Sequence, residues 1–234
     1  SKDLPGFVVL LSRNGSGDLG GTALWSNAFL PAAHRGVTFR SSGDAILHLG
    51  NPAGISRRQQ ADRLAAIRQM NQLRFQQKPD PEILSRIASY EMAFRMQSAA
   101  PELLDFAGES KATLQEYGIE KEKSQWFGAN CLLARRLAER GVRFINVVHA
   151  SWDQHGKLAY DLNWNCRMAD QPIAALIDDL KQRETARLQK RMAMITGLSL
   201  ALVALVVGLS IWVLLLWAET DQQEEALSAA LQNE

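Results

Sequence analysis

A chain of 234 residues with 47% hydrophobic content carries enough apolar side chain to bury a core, as one sizeable domain or two small ones. Its 26 Lys and Arg stand against 25 Asp and Glu, a formal charge of +1, with both signs interspersed along helical stretches, which excludes nucleic acid as an expected partner. Cys131 and Cys166 are too few and too far apart for a zinc cage or a disulfide framework and read as reduced, buried thiols.

The sequence begins at Ser1 without a charged and apolar leader, so a secretion signal is expected to be absent or already removed. FVVLLS at residues 7–12 predicts a short buried strand. In the GSGDLGG run that follows, Gly15, Gly17 and Gly20 match G-x-G-x-x-G, whose glycines let a backbone approach a pyrophosphate at a helix N-terminus. The context argues against that use. ALWSNAFLP allows at most a couple of helical turns before Pro31, and no second strand with an acidic end follows at βαβ spacing. A surface loop is expected, and no nucleotide cofactor. Residues 36–42 predict another short strand, and Asn51-Pro52-Ala53-Gly54 a turn.

Residues 56–117 read as mainly helical. Ser56 is the expected N-cap of a helix whose Ala61, Leu64, Ile67, Met70 and Leu73 recur at helical spacing and form a core face. Lys78-Pro79-Asp80-Pro81 stops that helix and opens the next, with Asp80 capping and Pro81 at the first helical position. Ile83, Leu84, Ile87, Tyr90 and Phe94 make its apolar stripe, Met92 and Met96 fill gaps, and the two helices are expected to pair antiparallel. Residues 101–107 and 110–117 predict shorter helices, the second ended by Gly118. FGANCLLARRLAER at residues 127–140 is amphipathic, with Cys131, Leu132, Ala134, Leu137 and Ala138 inward and Arg135, Arg136, Glu139 and Arg140 outward; Gly141 ends it.

The stretch at residues 142–157, VRFINVVHASWDQHGK, holds the chemistry. Val142, Phe144, Ile145, Val147 and Val148 predict a strand covered on both faces, as in a parallel sheet, and helix, glycine, strand is half of a βα unit. Asp153 and His155 follow at the strand's carboxyl end, where open α/β sheets place their ligands. Two residues apart in extended chain, a carboxylate and an imidazole point to one side and can converge on one ion. His149 is a further candidate ligand, four residues before Asp153. Ser151 has no identifiable base or oxyanion donors and is set aside as a nucleophile, and no catalytic residue is assigned.

Asp170-Gln171-Pro172 predicts the start of another helix, continuing to Arg183. Residues 184–191 form a basic juxtamembrane linker. Residues 192–218, MAMITGLSLALVALVVGLSIWVLLLWA, are 27 uncharged positions, about 40 Å of helix against a hydrocarbon core of about 30 Å, and predict one transmembrane helix in the lipid bilayer. Trp212 and Trp217 sit toward one end as interface aromatics. Cations at Lys181, Arg183, Arg187, Lys190 and Arg191 precede the span, and residues 219–234 are a short acidic tail. The positive-inside rule therefore places the N-terminal domain in the cytoplasm.

The segments FLPAAHRGVTFRS, RIASYEMAFRMQSAAPELLDF, FGANCLLARRLAERGVRFINVVHASWDQHG and NCRMADQPIAALIDDLKQR resemble the bacterial DUF1501 family over about residues 3–183. The resemblance implies a sulfatase-like member of the alkaline phosphatase superfamily: an α/β fold, here partial and with a helical insertion, cleaving sulfate or phosphate esters with a divalent metal such as zinc, calcium or magnesium. WDQH resembles the family's W-D-x-H, which implies metal ligation by Asp153 and His155 and an exported protein, opposite to the charge rule. It also implies further site residues in an N-terminal glycine-rich stretch and in a G-G-E-F-G-R-T-P motif after the DLKQR helix, neither of which occurs in these residues. The expected protein is a membrane-anchored, incomplete sulfatase-like domain, weakly active or inactive alone, over residues 1–183; the alternative is a non-catalytic interaction or structural protein.

Overall fold

The computed structural model describes residues 3–11, 21–40, 46, 49–121, 124–149 and 152–231; the glycine-rich residues 15–20 and Ser151 lie outside them. The chain divides into two compact units, Ser1–Leu180 and Lys181–Glu234. It is a mixed α/β protein, mostly helical, with a small parallel sheet and one long apolar helix.

In the first unit three strands, β1 (Phe7–Leu11), β2 (Val37–Arg40) and β3 (Phe144–Val148), pair in the order β2-β1-β3, all parallel. Val8 lies opposite Val37 and Ile145, and Leu10 opposite Phe39 and Val147. FVVLL is apolar at every position because β1 is the middle strand: Val8, Val9 and Leu10 are all 0% exposed. The doubly covered strand expected at residues 142–148 is a correction. Among the described strands β3 is at the edge with β1 alone beside it, and Phe144 and Asn146 point outward while Ile145 and Val147 turn to the core.

Among the described residues there are five α-helices: α1 (Arg57–Gln77), α2 (Pro81–Leu104), α3 (Lys111–Glu116), α4 (Gln125–Glu139) and α5 (Leu158–Leu231). Ser56 caps α1 through a reciprocal pair, its hydroxyl accepting from Gln59 N–H and its own N–H donating to the Gln59 side chain. Asp80 caps α2 by accepting from Glu82 N–H. α2 and α4 supply Met96, Ala100, Leu103, Leu133 and Leu137 to the core formed with Val8, Leu10 and Phe39. The expected core face of α1 is not one: no residue of α1 is buried, and Met70 and Leu73 are exposed. α1 packs chiefly on α2, and Ile67, Met70 and Leu73 of its apolar stripe stay exposed among the described residues.

Both internal prolines overturn expected helix starts. α2 runs through Pro101 to Leu104, and α5 begins at Leu158 and runs through Pro172. An interior proline forfeits a backbone hydrogen bond, at about 3 kcal/mol, and at Pro172 the fully buried ring offsets part of that. Where α4 crosses the turn after α3, Gly128 has no substitute, because an added Cβ would stand 2.1 Å from the Tyr117 carbonyl oxygen.

In the second unit α5 passes through the uncharged residues 192–218 with their side chains uncovered. Among the described residues it is the one helix long and apolar enough to cross a membrane, with a mean hydropathy of 2.7 over its most apolar window.

Candidate functional site

The site begins where β3 ends. His149 follows Val148 directly and packs its ring against Phe127 of α4, with centroids 5.1 Å apart, and edge-on against Trp152 at 5.7 Å. Burial lowers its pKa below the ordinary histidine value, and a hydrogen bond with the Asn165 side chain works against that shift. Asn165 is itself buried, on the first turns of α5. His149 is thus held as part of the seam between α4, the β3 end and α5.

Asp153 and His155 contact each other. His155 Nε2 lies 3.0 Å from Asp153 Oδ2, and the two side chains are 87% and 85% exposed. Their partner is each other, and His149 does not join them: among the described residues no group of three His, Cys, Asp or Glu side chains is placed to hold a metal ion. Lys157, in the left-handed region at φ 40°, then turns the chain into α5, its carbonyl accepting from the N–H groups of Tyr160 and Asp161.

A second constellation escapes the sequence reading and corrects it. Arg135, expected outward, is 5% exposed. Its guanidinium donates to Glu109 and, at 3.1 Å, to Asp179, and lies 3.3 Å from Glu139. Burial works against the charge, but the hydrogen bonds to Glu109 and Asp179 outweigh it and raise the pKa above the usual arginine value. Tyr117, 1% exposed, donates its hydroxyl to the same Asp179 at 3.1 Å, and its pKa is raised by burial and then by the Asp179 charge. One signal was available: Arg135 stands one helical turn after the inward Cys131, on the same face. Burial alone pushes the Cys131 thiol up to about 12, so it is an inert core group. Asn130 is also wholly buried, and among the described residues neither end of its amide has a hydrogen-bond partner.

Chemically the two constellations differ. The Arg135 cluster ties the end of α3 to α4 and α5, its guanidinium set among three carboxylates, which suits structure rather than turnover. The Asp153 and His155 pair offers free ligand capacity to solvent, two donors where a zinc enzyme uses three protein ligands, so the described residues do not by themselves fit a resident catalytic metal.

The fold and site define a small parallel α/β domain with an exposed carboxylate and imidazole pair, in a chain with one candidate membrane span. A family model, DUF1501, described as a protein of unknown function, matches residues 1–194, and the chain belongs to that family. No curated protein and no solved structure matches.

Proposed function

We propose that the chain is a membrane-anchored DUF1501 domain of sulfatase-like descent, in which Asp153 and His155 are one part of a metal site. By itself the domain binds zinc, calcium or magnesium weakly and hydrolyses sulfate or phosphate esters slowly or not at all. The observation that carries this is the pair itself: two metal-ligating side chains, aimed at one another, more than four-fifths exposed and without a third ligand among the described residues. The parallel strand order and the pair's place after the carboxyl end of β3 support the ancestry, since ligands of open α/β sheets bind there. The 27 uncharged residues 192–218 support the anchor.

The test uses the full chain in mild detergent, wild type beside Asp153→Ala and His155→Ala. Metal content after gel filtration is expected to be well below one ion per chain, with no aryl sulfate or aryl phosphate turnover that either variant removes. One tightly held ion, lost together with turnover in both variants, would show that the site is complete and overturn the reading.

A non-catalytic interaction role has one observation in its favour, the uncovered apolar stripe of α1, where Met70 is 71% and Leu73 60% exposed. Crosslinking from position 73 in native membranes is then expected to give one adduct of fixed mass that Met70→Glu removes and Asp153→Ala leaves unchanged. Absence of such an adduct rejects the role.

A further inference from the structure

We propose that α5 carries, beside its apolar stretch, a binding face for anionic phospholipid headgroups built from Arg187, Lys190 and Arg191. The inference rests on residues 192–218 being a membrane span and adds to it a preference for lipid charge. The three cations stand at i, i+3 and i+4 of one continuous helix, which puts them on one face within an arc of about 100°. All three are exposed. The opposite side at the same level carries Thr185 and Gln189, both uncharged, so the positive charge forms a stripe and not a collar.

Depth decides which cations take part. At 1.5 Å per residue, Arg191 and Lys190 lie within about 3 Å of Met192 along the axis, and Arg187 about 7.5 Å away. The headgroup layer on each side of a bilayer is about 5–7 Å thick, so these side chains meet phosphates directly or by bending their flexible stems. Glu184, the one carboxylate in residues 181–191, is about 12 Å from Met192 and stands beyond that layer. Lys181 and Arg183 lie at a similar distance or farther, where screening weakens their pull. Past the other end of the apolar stretch come Glu219 and Asp221, so the two ends differ in sign and the preference belongs to the leaflet at the Met192 end.

The experiment reconstitutes the full chain in phosphatidylcholine vesicles containing traces of spin-labelled phosphatidylglycerol or spin-labelled phosphatidylcholine, and compares the motionally restricted fractions. Wild type is expected to prefer phosphatidylglycerol about fivefold. In Arg187→Gln/Lys190→Gln/Arg191→Gln the preference is expected to fall to about one, with the helix kept because Gln is a good helix former. Arg187→Gln/Gln189→Arg conserves net charge but moves one cation to the opposite side, and is expected to lose about half of the preference. A wild-type chain that resists alkaline carbonate extraction yet shows no preference overturns the headgroup face and leaves the anchor standing. Extraction by carbonate overturns the anchor and this inference with it. Preference retained by the triple variant, or unchanged in Arg187→Gln/Gln189→Arg, also overturns the face. Abolition by inorganic phosphate, at ionic strength matched with chloride, would identify a free-anion site in its place.

Discussion

Arg135 and His155 each approach an aspartate at almost the same distance, 3.1 Å to Asp179 and 3.0 Å to Asp153, yet their side chains are 6% and 87% exposed. Distance alone therefore says little about what a polar contact does. Around Arg135 water is largely displaced, the effective dielectric is low, and three carboxylates gather on one guanidinium, with a tyrosine hydroxyl donating to one of them. Around Asp153 and His155 water competes for every lone pair, and screening leaves the contact with little free energy. The first constellation is committed to holding helices together, and the second is open to a ligand.

The largest break in this comparison is expected from Arg135→Ala. Removing the cation takes away the nearest counter-charge of Glu109 and Asp179, 14% and 22% exposed, and leaves Glu109 with Arg136 at 3.8 Å. Breaking a buried ion pair in this way costs about 3–5 kcal/mol. In a chain of this size that corresponds to a fall of about 10 °C in Tm, measurable on the full chain in detergent. Added salt should change the loss little, since buried pairs are poorly screened. A variant melting within about 2 °C of wild type would show that the cluster does not hold the helices.

Tyr117→Phe should come next. It removes one hydroxyl donated to the Asp179 carboxylate without opening a cavity, and a hydrogen bond to a charged acceptor contributes about 1.5 kcal/mol. Because the hydroxyl and Arg135 share that carboxylate, the double variant should lose less than the sum of the single losses. Strict additivity by thermal melting would mean that the two contacts are independent.

The contrast also explains what could be read in advance. The strands were legible because FVVLL is wholly apolar and FINVV apolar except at Asn146, and the starts of α1 and α2 because Ser56 and Asp80 cap through bonds local in sequence. The D-x-H spacing of Asp153 and His155 is likewise local, but their direct contact with each other was not among the expectations. The Arg135 cluster was not: its partners Glu109 and Asp179 are 26 and 44 residues away, and an arginine on an amphipathic helix ordinarily marks the wet side. Pro101 and Pro172 carry the local signature of helix starts, which tertiary packing overrides at the buried Pro172. The missing cover over β3 was illegible because a nearly continuous apolar run does not reveal whether a strand lies at the centre or the edge of its sheet.

His149 lies between the two extremes, and pH separates it from both. Its folded-state pKa is held below the ordinary 6.5, so between the two values the unfolded chain binds more protons than the native one. Stability from this residue is therefore full above about pH 6.5 and declines as pH falls toward the lowered value. His149→Gln removes the titration and should flatten the Tm profile in that window. An unchanged acid slope in the variant would assign the slope to other groups.

The smallest effect is expected at the most visible residues. With more than four-fifths of each side chain in water, Asp153→Ala and His155→Ala should each stay within about 0.5 kcal/mol of wild type, as exposed substitutions do. The double variant should differ from either single by no more than that, because removing one partner leaves the other hydrated and not stranded. Guanidinium unfolding of the full chain in detergent reads this directly. A loss above about 1 kcal/mol would mean that the pair pins the turn between β3 and α5, in which case its geometry serves the fold. Stability unchanged while weak metal binding disappears would place the free energy of these two side chains entirely outside the folded chain, in what they meet from solvent.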